Sequence, residues 1–256
     1  MEDQNIFTLK NTSCIRSWEA VFPDEEGEKV KNFAEEDHEN AVIIWQTRHK
    51  YVKKLDLPGT QEPLTVIYKH YCEKRFWRYL FRPSLAWREA LGYCKAASFG
   101  IPIAKILSCG ENRSFFHLYD SWIITKFLPY AQDGNVFVKD TTSDPELHRE
   151  KLSFCRQNLE YIARLHRAGF VHGGTHPRNF LFQKKTGEKE IKVVWIDLAT
   201  IKRRRFRLSK HLHDDLRHLL APMGFSLEEL TSLIGFYNQH NPGFSPDPAT
   251  IHVKIK

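Results

Sequence analysis

The chain has 256 residues, of which 41% are hydrophobic and 27% charged, with 13 glycines and 12 prolines. That is enough chain for one large domain or two small lobes with a sizeable core. Collagen-like, low-complexity and wholly disordered readings are excluded. The formal charge is +7. A basic balance points to an anionic partner, without choosing among nucleic acid, phospholipid and phosphorylated small molecules. The charge is unevenly placed: residues 19–40 carry −7, residues 48–95 carry +7 and residues 201–218 carry +5. One or both basic zones mark a working surface.

Five scattered cysteines, Cys14, Cys72, Cys94, Cys109 and Cys155, form no C-x-x-C pair. This argues against a disulfide framework or zinc ribbon and fits a reducing compartment. The acidic start at Met1 leads into no apolar stretch of the secretory kind, and no run approaches a membrane span. The expectation is a soluble, cytosolic protein.

In chain order, residues 1–40 read as an acidic arm, irregular or with a short helix. Strand-like runs follow at 41–45, 51–55 and 64–68, the last two separated by Pro58, Gly59, Thr60 and Pro63, as in a small antiparallel sheet. Pro83 and Ser84 open a helix with Trp87, Ala90, Leu91, Cys94 and Ala97 at helical spacing, ended by Gly100 and Pro102. Alternating runs at 103–107, 115–119 and 122–128 predict two or three more strands. Residues 129–143 read as a loop. Asp144 then caps a long helix with Pro145 at its first position, and Leu152, Cys155, Leu159, Ile162 and His166 share one face. Gly169 closes it. Short apolar runs come at 170–172, 180–182 and 191–196. Beyond them only helical patterns remain, near 210–221 and from a Ser226/Glu229 capping box to about Asn238. The prediction is an α+β protein of two lobes dividing near residue 130.

The most informative stretch runs from Leu165 through His172, Gly174, His176 and Asn179 to Phe182. Eighteen residues after Asn179, an apolar run delivers Asp197 at its end. A helix ends, a polar loop carries His and Asn, and a strand presents an Asp. This order places Asn179 and Asp197 on facing loops, where an amide oxygen and a carboxylate could share Mg²⁺.

At these residues the chain resembles the kinase fold, and more narrowly the lipopolysaccharide kinase (Kdo/WaaP) family of small bacterial sugar kinases. The catalytic loop of such kinases reads H-x-D-x-x-x-x-N, and His172 and Asn179 stand at that separation. Asp197 matches the metal-binding Asp, with Leu198 and Ala199 in place of the usual Phe-Gly. Lys69 matches the strand lysine that contacts ATP phosphates, and Glu89 its ion-pair partner. Residues 123–128, with Thr125 and Phe127, resemble the strand leading to the adenine-binding hinge. The block from Arg82 to Ala90, with Gly100 to Ile103, is similar to the family's first lobe. The resemblance implies a bilobal, protein-kinase-like fold: a β-rich N-lobe at 41–129 and a short, mainly helical C-lobe at 130–256. It implies ATP and Mg²⁺ as cofactors, and phosphotransfer to a heptose or Kdo hydroxyl of the lipopolysaccharide inner core. An anionic glycolipid or phosphorylated sugar would be the substrate, met by peripheral contact with the cytoplasmic membrane face.

One departure matters: Gly174 stands where the catalytic Asp belongs. A slow kinase, a kinase with another base such as His176, and a pseudokinase that only binds nucleotide or glycolipid all follow from it. A small-molecule phosphotransferase of the aminoglycoside or choline kinase sort is a further alternative. No Gly-rich phosphate loop is present, and Trp45 to Tyr51 stands in its place. The three histidines 166, 172 and 176 lack the acids or thiols of a zinc site, and His166 reads as packed core. Residues 69–82 interleave bases with aromatics, which could serve single-stranded nucleic acid, an anionic lipid surface or the core; a mixture of core rings and outward arginines fits best. The basic zones favour glycolipid, and nucleic acid is the less fitting partner.

Overall fold

Period-two alternation is clearest in residues 64–72, where Leu64, Val66 and Tyr68 are buried and the residues between them are not. Successive side chains of a strand point to opposite faces, so one apolar face seeks a core. The computed structural model describes residues 8–12, 16–21, 26, 30, 41–57, 63–72, 82–114, 117–139, 144–184 and 191–252. It divides into two units, residues 1–93 with 104–128, and residues 94–103 with 129–256.

The first unit holds a seven-stranded antiparallel sheet. Its strands are β1 (Thr8–Thr12), β2 (Arg16–Val21), β3 (Val42–Thr47), β4 (Lys50–Leu57), β5 (Leu64–Cys72), β6 (Ile106–Ser114) and β7 (His117–Lys126), ordered β1-β2-β6-β7-β5-β4-β3. Leu55, Leu57, Leu64, Val66, Tyr68, Leu107, Trp122, Ile124 and Val30 form one core on it. Helix α1 (Leu85–Ser98) starts where the Ser84 hydroxyl accepts the Trp87 N–H at 3.2 Å, and Ala86, Glu89, Ala90 and Tyr93 are buried along it. An N-cap hydroxyl satisfies an otherwise orphaned helix donor.

The mixed fold class agrees with the sequence reading, but several elements differ. Residues 8–12 and 16–21 are strands, not an irregular arm or helix. These runs are too short to stand out in an acidic segment, and the pairing of β2 with β6, Ser17 opposite Asn112, joins segments far apart in the chain. The two or three strands expected over 103–128 are two, β6 and β7, and Ile103 lies outside them with an isolated bridge to Trp195.

The second unit is mainly helical. Helix α2 (Asn135–Lys139) and the short strand β8 (Gln132–Asp133) interrupt what reads as a loop. Helix α3 (Pro145–Arg167) has Asp144 as its cap, the carboxylate accepting the Glu146 N–H at 2.9 Å. Strands β9 (Phe170–Val171), β10 (Phe180–Lys184) and β11 (Ile191–Trp195) follow, with β10 paired to both β11 and β8. Strand β12 (Lys202–Arg203) pairs with β9, so the region past residue 196 is not purely helical. Helices α4 (Leu208–Leu220), α5 (Leu227–His240) and α6 (Pro248–His252) complete the unit. The Ser226/Glu229 capping box forms in both directions. Among the described residues no helix is long and apolar enough to cross a membrane.

Candidate active site

In the first unit the strand alternation sends Lys69 and Tyr71 to the face of β5 opposite the core of Val66 and Tyr68. There Lys69 Nζ meets both oxygens of Glu89, at 2.8 and 2.9 Å. The Tyr71 hydroxyl also donates to Glu89 Oε2. The Glu89 side chain is 1% exposed and that of Lys69 12%, so this is a half-hidden ion pair with one fully desolvated partner. Such a carboxylate is held by its donors and fixes where the ammonium points. Thr125 is buried on β7, opposite Ile67 in register. The Phe127 N–H donates to the Thr65 carbonyl at 3.0 Å, and Lys54 Nζ lies 4.4 Å from the Phe127 ring centre. Residues 73–81, most of the basic-aromatic run, lie outside the described residues.

In the second unit the loop after β9 carries the other candidates. Asn179 donates through Nδ2 to the Gly174 carbonyl at 2.7 Å, which leaves its amide oxygen as an acceptor. The N–H of Ile196 donates to the Asn179 carbonyl at 2.9 Å, continuing the register that pairs Phe180 with Trp195. Asp197, the next residue, therefore stands on the segment adjoining Asn179. Its φ is +58°, a left-handed backbone that costs a non-glycine residue energy and survives only where surroundings impose it. Both residues offer hard oxygen donors, the ligand type that Mg²⁺ takes, usually with phosphate and water completing its shell. Among the described residues no group of three His, Cys, Asp or Glu could hold a metal.

His172 is fully buried, edge-on to Phe180 and Trp195 at 5.5 and 5.0 Å, and neither ring nitrogen has a hydrogen-bond partner among the described residues. Burial pushes its pKa down to about 4. The imidazole is thus a neutral packing group, and the loop is held through backbone. The N–H groups of His172 and Gly173 donate to Asp215 Oδ2 and Oδ1 at 2.7 and 2.8 Å. The Thr175 hydroxyl donates to the Asp215 carbonyl at 2.5 Å.

Asp215, on α4, is the organiser that sequence reasoning missed. His166 also reaches its Oδ2 at 3.2 Å, and His166 Nδ1 lies 2.7 Å from the Tyr237 hydroxyl on α5. Burial opposes the Asp215 charge, yet His166 and the backbone N–H of His172 together hold its carboxyl below the usual range. The signal in the sequence was an aspartate amid Leu212, Leu216 and Leu219, on what reads as the apolar face of a helix. His166 is buried as expected, but as part of this polar network.

The His176 ring stacks on that of His218 at 4.9 Å. Burial, then His218 and Arg178, hold its pKa below the ordinary value. Around Gly174, a β-carbon would meet Thr200 Oγ1 at 3.2 Å and lie 3.7 Å from both Asn179 Nδ2 and His172 Nδ1. A side chain fits there only if the Thr200 hydroxyl, which has no hydrogen-bond partner among the described residues, shifts slightly. Gly173 has φ +71°, a left-handed backbone that favours glycine, while a β-carbon there would make only ordinary contact with Thr200.

The sequence profile of the lipopolysaccharide kinase (Kdo/WaaP) family matches residues 59–237. No curated protein matches the chain. Among solved structures, the chain is similar to WaaP in complex with acyl carrier protein, with a TM-score of 0.59 and 18% identity over 77% of this chain and 78% of that one. The kinase domain of Mycobacterium tuberculosis PknI, solved as a double mutant, gives a TM-score of 0.47 and 12% identity over 82% of this chain and 92% of that one. The likeness to WaaP shows a kinase-like fold.

Proposed function

Because the chain belongs to the lipopolysaccharide kinase (Kdo/WaaP) family, we propose that it transfers a phosphoryl group from ATP to a sugar hydroxyl of the lipopolysaccharide inner core, a heptose or Kdo. The observation that carries this reading is the Lys69–Glu89 pair, with both carboxylate oxygens on one ammonium. A lysine fixed in this way offers a positioned charge to a polyphosphate, and positioning with electrostatics is most of what phosphoryl transfer needs.

In this reading Lys69 aligns the phosphates and Glu89 orients Lys69. Thr125 and Phe127 lie on the segment that would receive the adenine. Asn179 and Asp197 would hold Mg²⁺, which supplies charge neutralisation for the transferred group. Asp215 fixes the loop from His172 to Thr175. The acceptor is an anionic glycolipid or phosphorylated sugar at the inner face of the cytoplasmic membrane. Its counterpart on the protein is the exposed basic segment Lys202, Arg203, Arg205 and Arg207, with Phe206 85% exposed among them. Cations with an aromatic ring in open solvent suit an anionic interface.

Gly174 leaves no carboxylate to take the acceptor's proton. A positioned base is worth about 10²–10⁴ in rate, so transfer by this chain is slow. His176 does not replace it: stacked on His218, it serves the loop's packing. A second reading, a module that binds nucleotide without turning it over, is favoured by Gly174 itself.

Thermal melting with ATP and Mg²⁺, followed by phosphate transfer to core oligosaccharide, tests these readings. A metal-dependent shift with slow transfer is expected. A shift with no transfer establishes the binding module, and no shift removes both. Gly174→Asp should raise transfer by about 10²-fold, whereas His176→Ala should leave it unchanged.

A further inference from the structure

The face of the first unit's sheet that turns away from Lys69 carries a second chemical group. His70 and Cys72 lie two apart on β5, so their side chains share a face, and Asp120 on β7 is directly opposite Cys72 in register. Cys72 Sγ is 3.4 Å from His70 Nδ1. The other ring nitrogen, Nε2, lies 3.8 Å from Asp120 Oδ2, with the two side chains 14% and 28% exposed. Asn112, on β6, donates to Asp120 Oδ1 at 2.8 Å, which turns Oδ2 toward the imidazole. The Tyr51 ring, on β4, stacks on His70 at 4.7 Å with planes 16° apart and fixes its plane.

We propose that Cys72, His70 and Asp120 form a reactive-thiol site that takes low-molecular-weight disulfides, becoming a reversible mixed disulfide. An anion beside Nε2 favours the tautomer protonated there and leaves Nδ1 as acceptor for the thiol proton. Transfer of that proton gives a thiolate beside an imidazolium held by a carboxylate, the arrangement that makes a cysteine nucleophilic near neutral pH. The thiolate attacks one sulfur of R–S–S–R. The Cys72 S–S bond forms, the reagent's S–S bond breaks, and the departing R–S⁻ takes the proton from His70. Cys72 is oxidised and the released half is reduced to R–SH. A second free thiol reverses the step by the same exchange.

The other described cysteines lack this setting. Cys109 and Cys155 are buried, and burial pushes the thiols of Cys94 and Cys155 up. The groups facing the imidazole are Tyr51 from β4, Tyr68 from its own strand, Asp120 from β7 and Asn112, through Asp120, from β6. Lys53 adds a cation 5.1 Å from the Tyr51 ring centre.

The test is the alkylation rate of each cysteine in the full chain with iodoacetamide between pH 5.5 and 9, read by peptide mass spectrometry. Cys72 should show a reactive plateau below pH 7 and react at least ~10-fold faster than Cys94 at pH 6.5. His70→Gln should remove the plateau while keeping the rate at pH 9, and Asp120→Asn should shrink it. Oxidised glutathione should add its half-molecule mass to the Cys72 peptide, reversibly with dithiothreitol. A Cys72 rate that rises only with ordinary thiol titration in the unaltered chain overturns the proposal, whatever the variants do. So does an unchanged plateau in a folded His70→Gln protein.

Discussion

His172 shows how one side chain can carry a family motif by position while its chemistry is that of a core residue. Its imidazole is packed against Phe180 and Trp195 and titrates at about 4 in the folded protein. In the unfolded chain it titrates near 6.5, so below that pH the unfolded state binds a proton that the native state refuses. Its contribution to stability is therefore present above about pH 6.5 and is lost progressively as pH falls toward 4. The loss sums to roughly 3 kcal/mol from this group alone. Urea denaturation at pH 7 and pH 5 should show the native chain losing stability across that window, with His172→Phe flattening the acid limb. Glu89 makes the opposite case, a charge that must remain paired. Glu89→Ala leaves Lys69 without its carboxylate and the Tyr71 hydroxyl without its acceptor. Stability should fall by about 3 kcal/mol, with nucleotide-induced stabilisation lost as well. Lys69→Met should abolish the nucleotide response at a stability cost at least as large, because it leaves the Glu89 carboxylate, 1% exposed, without its cation.

At the scale of elements, the candidate loop owes its shape less to its own residues than to helix α4. The Asp215 carboxylate accepts both backbone N–H groups at the loop's start and also receives His166 from α3. Through His166 the same network reaches Tyr237 on α5, whose hydroxyl accepts from Asn241 at 2.6 Å. Three helices thereby fix one turn of chain. Asp215→Ala would leave the buried His172 N–H without its acceptor, at about 1–3 kcal/mol, and free the more exposed Gly173 N–H to water at a smaller cost. Circular dichroism melting should show that destabilisation. In a chain that still folds, hydrogen exchange should quicken at residues 172–175 more than in α3. Asp215→Asn keeps one acceptor oxygen and should cost less. The sequence announced α3 and α5 through their caps and apolar stripes, since those signals are local. It did not announce this network: Asp215, His166 and Tyr237 are far apart in the chain, and nothing at any one of them names the others.

Across the whole molecule, charge separates by segment as the composition suggested. The stretch 202–207 is a short strand and an exposed turn, with Arg207 at φ +52° just before α4. Reversing Arg203, Arg205 and Arg207 to Glu should weaken cosedimentation with anionic vesicles by about tenfold or more at low salt. Raising salt should erase the difference, because exposed charges are screened within about 10 Å at 0.1 M. The acidic segment also has a traceable part: Glu26 takes Lys105 and Lys126 at 2.6 Å each, and these bonds hold its carboxyl below the usual range. The sequence by itself determined the mixed class, the long helix from Pro145, the capping box at Ser226 and the family pattern from Lys69 to Asp197. Those features are written in local spacing, where a strand, a cap or a motif needs only its neighbours. Tertiary structure alone decided the addition of β1 and β2 to the sheet, the burial of His172, the Asp215 anchor and the meeting of Cys72, His70 and Asp120. Each of these depends on which distant segments come to share a face, and on how far burial moves a charge. Neither is fixed until the chain has folded.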